Sequence, residues 1–112
     1  MKKALIITWD GFQDQEVIYP YYRLQEAGFQ VTISGATGKE EVIGLFGTKF
    51  KCIGDNMILS PENYDLLVLP GGVKALEKVR QSVPVLNFIK AWSKDKVIST
   101  ICHGAQLLIS CG

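Results

Sequence analysis

The residues best suited to chemistry are Cys102 and His103, which end an apolar run at 97–101 and precede Gly104. The run predicts a buried strand, and the residues from Gly104 onward predict a helix. A cysteine at such a junction is typical of a nucleophile elbow, in which the turn pushes the sulfur out of the sheet. The helix N-terminus would favour the thiolate. On spacing alone, a buried cysteine at a strand end is an equally good interpretation.

His103 is the single histidine of the chain. Its imidazole could act as a general base for a neighbouring thiol, and its backbone N–H could serve an oxyanion hole. Adjacent residues on a helix do not face each other, so direct help to Cys102 requires the special turn. On spacing alone, a solvent-exposed histidine at a helix start is the favoured interpretation.

Two other candidate groups follow apolar runs. Gly71 and Gly72 come after the run at 66–69, where small residues permit close approach to a ligand and offer N–H groups to an oxyanion. Glu16 follows the run at 4–8, and a carboxyl group near a thiol tunes the thiol pKa. The alternatives are a plain turn for the glycines and, for Glu16, a charge that complements a helix N-terminus.

Alternating strands and helices must position these candidates. We predict strands at 4–8, 29–34, 66–69 and 97–101, a small antiparallel hairpin at 41–43 and 48–53, and helices at 14–28, from 82 and from 104. Asp14 is expected to cap the first helix, and Lys94 and Lys96 to suit the C-terminal end of the helix that begins at 82. Glu77 falls in a short helical segment and by itself would be a solvated surface charge. This pattern predicts an α/β sandwich with a mostly parallel sheet.

Composition excludes several classes of function. The chain has 112 residues, of which 47% are hydrophobic, and its formal net charge is +1. These values suit one domain over residues 1–112 and give nucleic-acid binding no electrostatic support. No apolar run approaches the roughly 20 residues of a membrane helix, so we expect no membrane partner.

The cysteines indicate the compartment. Cys52, Cys102 and Cys111 are odd in number and have no C-x-x-C spacing, which predicts neither a disulfide framework nor a zinc site. No G-x-G-x-x-G dinucleotide motif is present either. We therefore expect a cytoplasmic protein with no metal and no other cofactor.

Four motifs occur in order along the chain: DGFQDQE at 10–16, IYP at 18–20, DLLVLPGG at 65–72 and ICHG at 101–104. Together they span essentially the whole sequence, and they resemble the ThiJ/PfpI family. This is the intracellular cysteine peptidase and deglycase group of the class I glutamine amidotransferase-like superfamily. The resemblance implies a flavodoxin-like three-layer α/β/α sandwich.

The resemblance also implies roles for individual residues. Cys102 would be the nucleophile, and Glu16 would be hydrogen-bonded to its sulfur. The oxyanion hole would be formed by backbone N–H groups at Gly71, Gly72 and His103.

In the peptidase-like branch of the family, His103 is paired with a glutamate from a neighbouring subunit. Glu77 is the matching position here, which implies a dimer or larger homo-oligomer. Family members continue with further strands and a closing helix. The chain to Gly112 would then be about the N-terminal two-thirds of a family domain, and an inactive fragment is one interpretation of its length.

The functional prediction is a cysteine-nucleophile hydrolase-like enzyme. The resemblance implies a peptide or small-molecule substrate: peptide or amide bonds, or small α-oxoaldehydes and their protein adducts, as in a glyoxalase or deglycase. The alternative is a non-enzymatic redox-sensing or chaperone-like stress protein, in which Cys102 is oxidised to a sulfinic acid that Glu16 stabilises.

Overall fold

The elements alternate between strand and helix, as the hydrophobic pattern predicts. A computed structural model of the chain describes residues 2–35, 40–54, 61–92 and 96–100. In chain order the elements are β1 (Lys3–Ile7), α1 (Asp14–Glu26), β2 (Gln30–Ser34), β3 (Glu41–Ile43), β4 (Lys49–Lys51), β5 (Leu66–Leu69), α2 (Val73–Val79), α3 (Val83–Lys90) and β6 (Val97–Thr100), with a 3₁₀ turn at Pro61–Asn63.

Four strands form a parallel sheet in the order β2-β1-β5-β6. The pairing of β1 places Ile6 opposite Ile33 of β2 on one side and opposite Val68 of β5 on the other. The chain moves outward from β1 to β2 and then returns to the opposite side of β1 as β5. The strand order therefore reverses between β1 and β5, and the carboxyl ends of these two strands form the switch point of the sheet. This order confirms the flavodoxin-like α/β fold.

The core lies on the two central strands. Every residue at 4–7 and at 67–69 is at most 2% exposed, because a parallel sheet is covered on both faces. Helix α3 packs the predicted stripe of Val85, Phe88 and Ile89 into this core. Its predicted start is also confirmed, since the Ser82 hydroxyl accepts a hydrogen bond from the Val85 N–H at 3.3 Å.

The hairpin of β3 and β4 forms a separate two-stranded sheet. Val42 pairs with Phe50 in antiparallel register, and both side chains are buried. The turn between the strands includes Gly47, whose φ of +94° lies in the left-handed region that favours glycine. Just past β4, Ile53 forms an isolated parallel bridge with Ser34 and so ties the hairpin to the edge of the main sheet.

The prediction that Asp14 caps the first helix is wrong. The N-cap residue is Gln13, whose side chain makes no cap hydrogen bond within the described ranges, and Asp14 is already the first helical residue. The Asp14 carboxylate instead accepts hydrogen bonds from the hairpin turn. These N–H groups belong to Phe46 and Thr48. Buried backbone donors need an acceptor, and the Asp14 carboxylate supplies it for the turn instead of for the helix N-terminus.

The placement of Lys96 near the end of α3 is also wrong. Helix α3 ends at Lys90, and the Lys96 ammonium donates hydrogen bonds to the carbonyl oxygens of Pro61 and Tyr64, each at 2.7 Å. A charged donor between two converging carbonyls gains more than it would beside a single exposed helix end. Lys94 lies outside the described residues.

Candidate active site

Two of the predicted site segments meet at the switch point of the sheet. The loop that follows β1 leads to Glu16 in the first turn of α1, and Gly71 and Gly72 follow β5 after a single proline. Because β1 and β5 are neighbours in parallel register, these segments lie at the same sheet edge. This is the edge at which open α/β sheets bind ligands.

The third predicted segment follows β6, the other neighbour of β5. Thr100 at the end of β6 pairs with Leu69 at the end of β5. Cys102 and His103 are the second and third residues after Thr100. Both lie outside the described residues, so their predicted roles are carried forward below as proposals.

Glu16 joins the two described segments. Its Oε1 accepts a hydrogen bond from the Gly71 backbone N–H at 2.7 Å. The bond is short, as expected for an N–H that donates to a carboxylate, and it fixes the first turn of α1 to the loop after β5. Use of the Gly71 N–H in an oxyanion hole would therefore require the Glu16 carboxylate to release it.

Gly72 packs closely against the backbone of the loop that follows β1. Its φ is +109°, and a Cβ placed there would lie 2.9 Å from the Phe12 Cα and 3.0 Å from both the Gln13 nitrogen and the Gly11 oxygen. The sequence predicted that glycine permits close approach of a ligand, and the structure adds that it permits the β1 and β5 loops to touch. Only glycine satisfies both the dihedral angle and the space.

Glu77 is a surface residue of α2. Its Oε1 accepts a hydrogen bond from Arg80 Nη1 at 2.9 Å, one helical turn away, and its side chain is 54% exposed. An exposed pair at this spacing contributes at most about 1 kcal/mol. Within one chain Glu77 is thus a solvated charge, and the role predicted for it requires a neighbouring subunit.

Asp14 has a role that sequence reasoning missed. It is only 5% exposed, and its carboxylate accepts hydrogen bonds from the N–H groups of Phe46 at 2.9 Å and Thr48 at 3.0 Å. Gly44 packs against the same carboxylate so closely that a Cβ would lie 2.6 Å from it. Asp14 therefore clamps the β3–β4 turn beside Glu16. No local spacing signals a partner more than 30 residues away.

The hydrogen bonds to Asp14 also set its ionisation. Burial acts to raise the pKa of Asp14, but hydrogen bonds from the Thr48 side chain and from the Phe46 and Thr48 backbones outweigh it. The pKa of Asp14 consequently lies below its ordinary value of 3.8. The carboxylate is the form that holds the turn.

Asp14→Asn is expected to lower the free energy of unfolding at pH 7 by about 1–3 kcal/mol, because an amide cannot accept from the same set of donors. The folded-state pKa is depressed, so the stabilisation is fully present above the ordinary value of 3.8 and is lost as pH falls through the folded-state pKa. Urea unfolding from pH 7 down to pH ~2.5 measures this window. The matched control is Glu41→Gln, an exposed hairpin carboxylate. The difference in free energy of unfolding between wild type and Asp14→Asn should shrink in acid. A difference that stays constant would contradict the role of the Asp14 carboxylate in holding the turn.

A cleft of about 420 Å³ opens between the start of α1 and the hairpin turn. It is lined by Gln13, Asp14, Gln15, Glu16, Ile18, Phe46 and Thr48. This volume is within the range of small-molecule sites, which is roughly 300–1,000 Å³. Carboxylate and amide groups supply the polar part of the lining, and Ile18 and Phe46 supply the apolar part. The cleft can therefore hold a small molecule with a polar end and an apolar end.

The described ranges hold neither a metal-binding cluster nor a membrane-spanning helix. Among these residues, no group of three or more His, Cys, Asp or Glu side chains is arranged to hold a metal ion. The helices in the same ranges all lack the length and apolarity that a membrane span needs.

Comparison with known proteins adds to this geometry. The family model described as the DJ-1/PfpI family matches residues 2–112. The chain belongs to the DJ-1/PfpI family. This confirms the resemblance that the four sequence motifs indicate.

Relatives that are named deglycases are similar along nearly the whole chain. Deglycase PH1704 of Pyrococcus horikoshii is 40% identical over 111 residues, which cover 98% of this chain and 66% of that protein. Deglycase PfpI of Pyrococcus furiosus is 39% identical with the same coverage. This chain thus spans 66% of the length of these two relatives.

A solved structure supports the DJ-1/PfpI fold directly. It is a two-domain protein of Anabaena variabilis that contains DJ-1/ThiJ/PfpI-like and ferritin-like domains. The TM-score is 0.89 at 30% identity, and the match covers 99% of this chain and 32% of that one. The parallel sheet and its switch point are therefore features shared with an experimental structure.

Proposed function

We propose that this chain carries the active site of a cysteine-dependent deglycase, an enzyme that removes small α-oxoaldehydes from their protein adducts. The observation that carries the proposal is the Glu16–Gly71 hydrogen bond at the switch point, beside the strand that leads to Cys102. Similar proteins named deglycase support the choice of reaction. The domain, on this proposal, is a single unit over residues 1–112 that makes up part of a longer family domain.

Chain connectivity supports a thiol near this hydrogen bond. Cys102 is two positions after Thr100 in the chain, so their Cα atoms lie within about 7 Å of each other. Thr100 pairs with Leu69, and Gly71 is likewise two residues beyond Leu69. The proposal therefore puts the Cys102 sulfur within reach of the loop that Glu16 holds.

The chemistry begins with sulfur attack on an adduct. In an aminocarbinol, R–CO–CH(OH)–NHR′, the Cys102 sulfur bonds to the carbinol carbon, the C–N bond breaks, and the thiol proton leaves with the amine. With a free α-oxoaldehyde the sulfur adds to the aldehyde carbon instead, and the π-electron pair moves to oxygen, which takes the proton. Both routes give the same hemithioacetal. Backbone N–H groups at Gly72 and His103 would hold the developing oxyanion.

The second half of the reaction needs only water. The C–H proton of the carbinol carbon moves to the neighbouring carbonyl carbon, with His103 as the proposed proton carrier, and the carbinol hydroxyl proton passes to the oxygen of that carbonyl. The hemithioacetal thereby becomes a thioester of a 2-hydroxy acid. Water then cleaves the C–S bond and restores the thiol. One substrate carbon is oxidised while its neighbour is reduced, so no external oxidant is required.

Glu77 enters the proposal through a second copy of the chain. Its exposed position on α2 suits a residue that approaches the site of a neighbouring subunit. In that arrangement Glu77 would orient His103 of the other copy. The proposed enzyme is accordingly a dimer or larger homo-oligomer.

The test is product analysis with the full chain. Methylglyoxal should yield a 2-hydroxy acid, and a methylglyoxal-treated peptide should regain its free amino groups. Alkylation of Cys102 should abolish both products. Peptide-bond cleavage without either product would favour the peptidase alternative. If peroxide converts the Cys102 thiol to a sulfinic acid and the protein forms neither product, the redox alternative is favoured. Either result would overturn the deglycase proposal.

A further inference from the structure

The tip of the β3–β4 hairpin exposes a large aromatic side chain at the mouth of the candidate site. Phe46 is 85% exposed, and it nevertheless lines the same cleft as Glu16 and Ile18. An exposed phenylalanine ring gains stability only when something covers it. Its place in the lining of a cleft that also holds polar groups indicates that a bound molecule could be that cover.

The backbone that carries this ring is fixed rather than free. The buried Asp14 carboxylate binds the N–H groups of Phe46 and Thr48, and the Leu45 N–H donates to the Phe12 oxygen at 3.0 Å. These bonds join the turn to the segment that connects β1 with α1. Since Glu16 sits in the same first turn of α1 as Asp14, the backbone that carries the ring is tied to the helical turn that carries the Glu16 carboxylate.

We propose that Phe46 is a specificity-determining residue whose ring forms the apolar wall against which the substituent of the substrate packs. Asp14 is the positioning residue that fixes this wall relative to Glu16. The inference rests on the proposed function and names its substrate class: α-oxoaldehydes, and their adducts, with an aryl or other bulky apolar substituent. Aromatic rings favour edge-to-face or offset contact with such groups.

The kinetic test compares phenylglyoxal with methylglyoxal, which share the reacting carbons and differ in the substituent. Phe46→Ala is expected to lower the ratio of kcat/KM for phenylglyoxal to kcat/KM for methylglyoxal by about tenfold. The change should come mainly from a higher KM for phenylglyoxal. Asp14→Asn should lower the same ratio by a smaller factor. Leu45→Ala is the matched control, because Leu45 is also exposed but does not line the cleft, and it should leave the ratio unchanged.

A binding measurement keeps this inference separate from the proposed reaction. The neutral ketones 2-hydroxyacetophenone and hydroxyacetone have the two substituents without the reactive aldehyde, and calorimetric titration gives their affinities. Phe46→Ala should weaken the affinity for 2-hydroxyacetophenone about tenfold and change the affinity for hydroxyacetone by no more than about twofold.

The outcomes separate the two proposals. If wild-type protein lacks turnover but binds the aryl ketone through Phe46, the reaction is wrong and the apolar wall stands. If wild-type protein turns over both aldehydes and Phe46→Ala changes kcat/KM for the two equally, Phe46 does not form the apolar wall. Unchanged aryl-ketone affinity in Phe46→Ala, together with a smaller oligomer in sedimentation, would also overturn it, because the ring would then be a subunit contact.

Discussion

Cys102→Ser is expected to lower kcat/KM for 2-hydroxy acid formation from methylglyoxal by at least about a thousandfold. A serine hydroxyl is a far poorer nucleophile than a thiolate at neutral pH, and loss of the nucleophile removes the covalent route altogether. The substitution changes one atom, so folding should be preserved. Steady-state kinetics with the full chain measure the effect, and cooperative urea unfolding verifies that the variant is folded.

The matched control is Cys52→Ser. Cys52 follows β4 and lies beside Gly35, the residue after edge strand β2, and it does not line the cleft that contains Glu16. Its replacement should leave kcat/KM within about twofold, because Cys52 contributes no side chain to the cleft. Retention of more than a tenth of wild-type activity in Cys102→Ser would exclude Cys102 as the nucleophile.

Gly72→Ala is expected to be the most destabilising single substitution at the site, with a loss of about 2–4 kcal/mol in the free energy of unfolding. Two costs combine. The φ of +109° strains any residue with a Cβ, and that Cβ would press on the backbone at Phe12, Gln13 and Gly11. Backbone atoms cannot move aside as a flexible side chain can. Activity should fall too, because the loop that presents the Gly72 N–H would be displaced.

Gly28→Ala separates the two costs. Gly28 has a similar φ of +92°, and a Cβ there would meet no atom within 4 Å. It should therefore show only the dihedral strain, about 1 kcal/mol. Urea unfolding of both variants at pH 7 gives the comparison. Equal losses in Gly28→Ala and Gly72→Ala would show that the loops after β1 and β5 do not depend on their close contact.

The main fold could be predicted because its signals are local. The apolar runs in β1 and β5 mark strands buried on both faces, and the alternation in β3 and β4 marks a hairpin with one buried face. The start of α3 follows from Ser82 and the proline two residues later, since a hydroxyl at the N-cap and a proline in the first turn are both local preferences.

The long-range contacts could not be predicted because their partners are distant in sequence. Asp14 is a residue type that favours helix starts, yet its carboxylate oxygens accept hydrogen bonds from N–H groups 32 and 34 positions away. Lys96 suits a helix end but binds carbonyls of the segment that precedes β5, more than 30 positions away. The pairing of Glu16 with the Gly71 N–H depends on the strand order, which periodicity alone does not define. Such contacts come from tertiary packing.

The most direct test of the central claim is the pH dependence of Cys102 alkylation, read by mass spectrometry of its peptide. The same peptide in urea-unfolded protein is the reference, since an unperturbed thiol has a pKa of about 8.5. We expect the folded protein to react with a midpoint below about pH 7.5, because the helix predicted to begin at Gly104 would stabilise the thiolate through its N-terminal N–H groups. Coincident profiles for folded and unfolded protein would contradict an activated cysteine at this edge of the sheet.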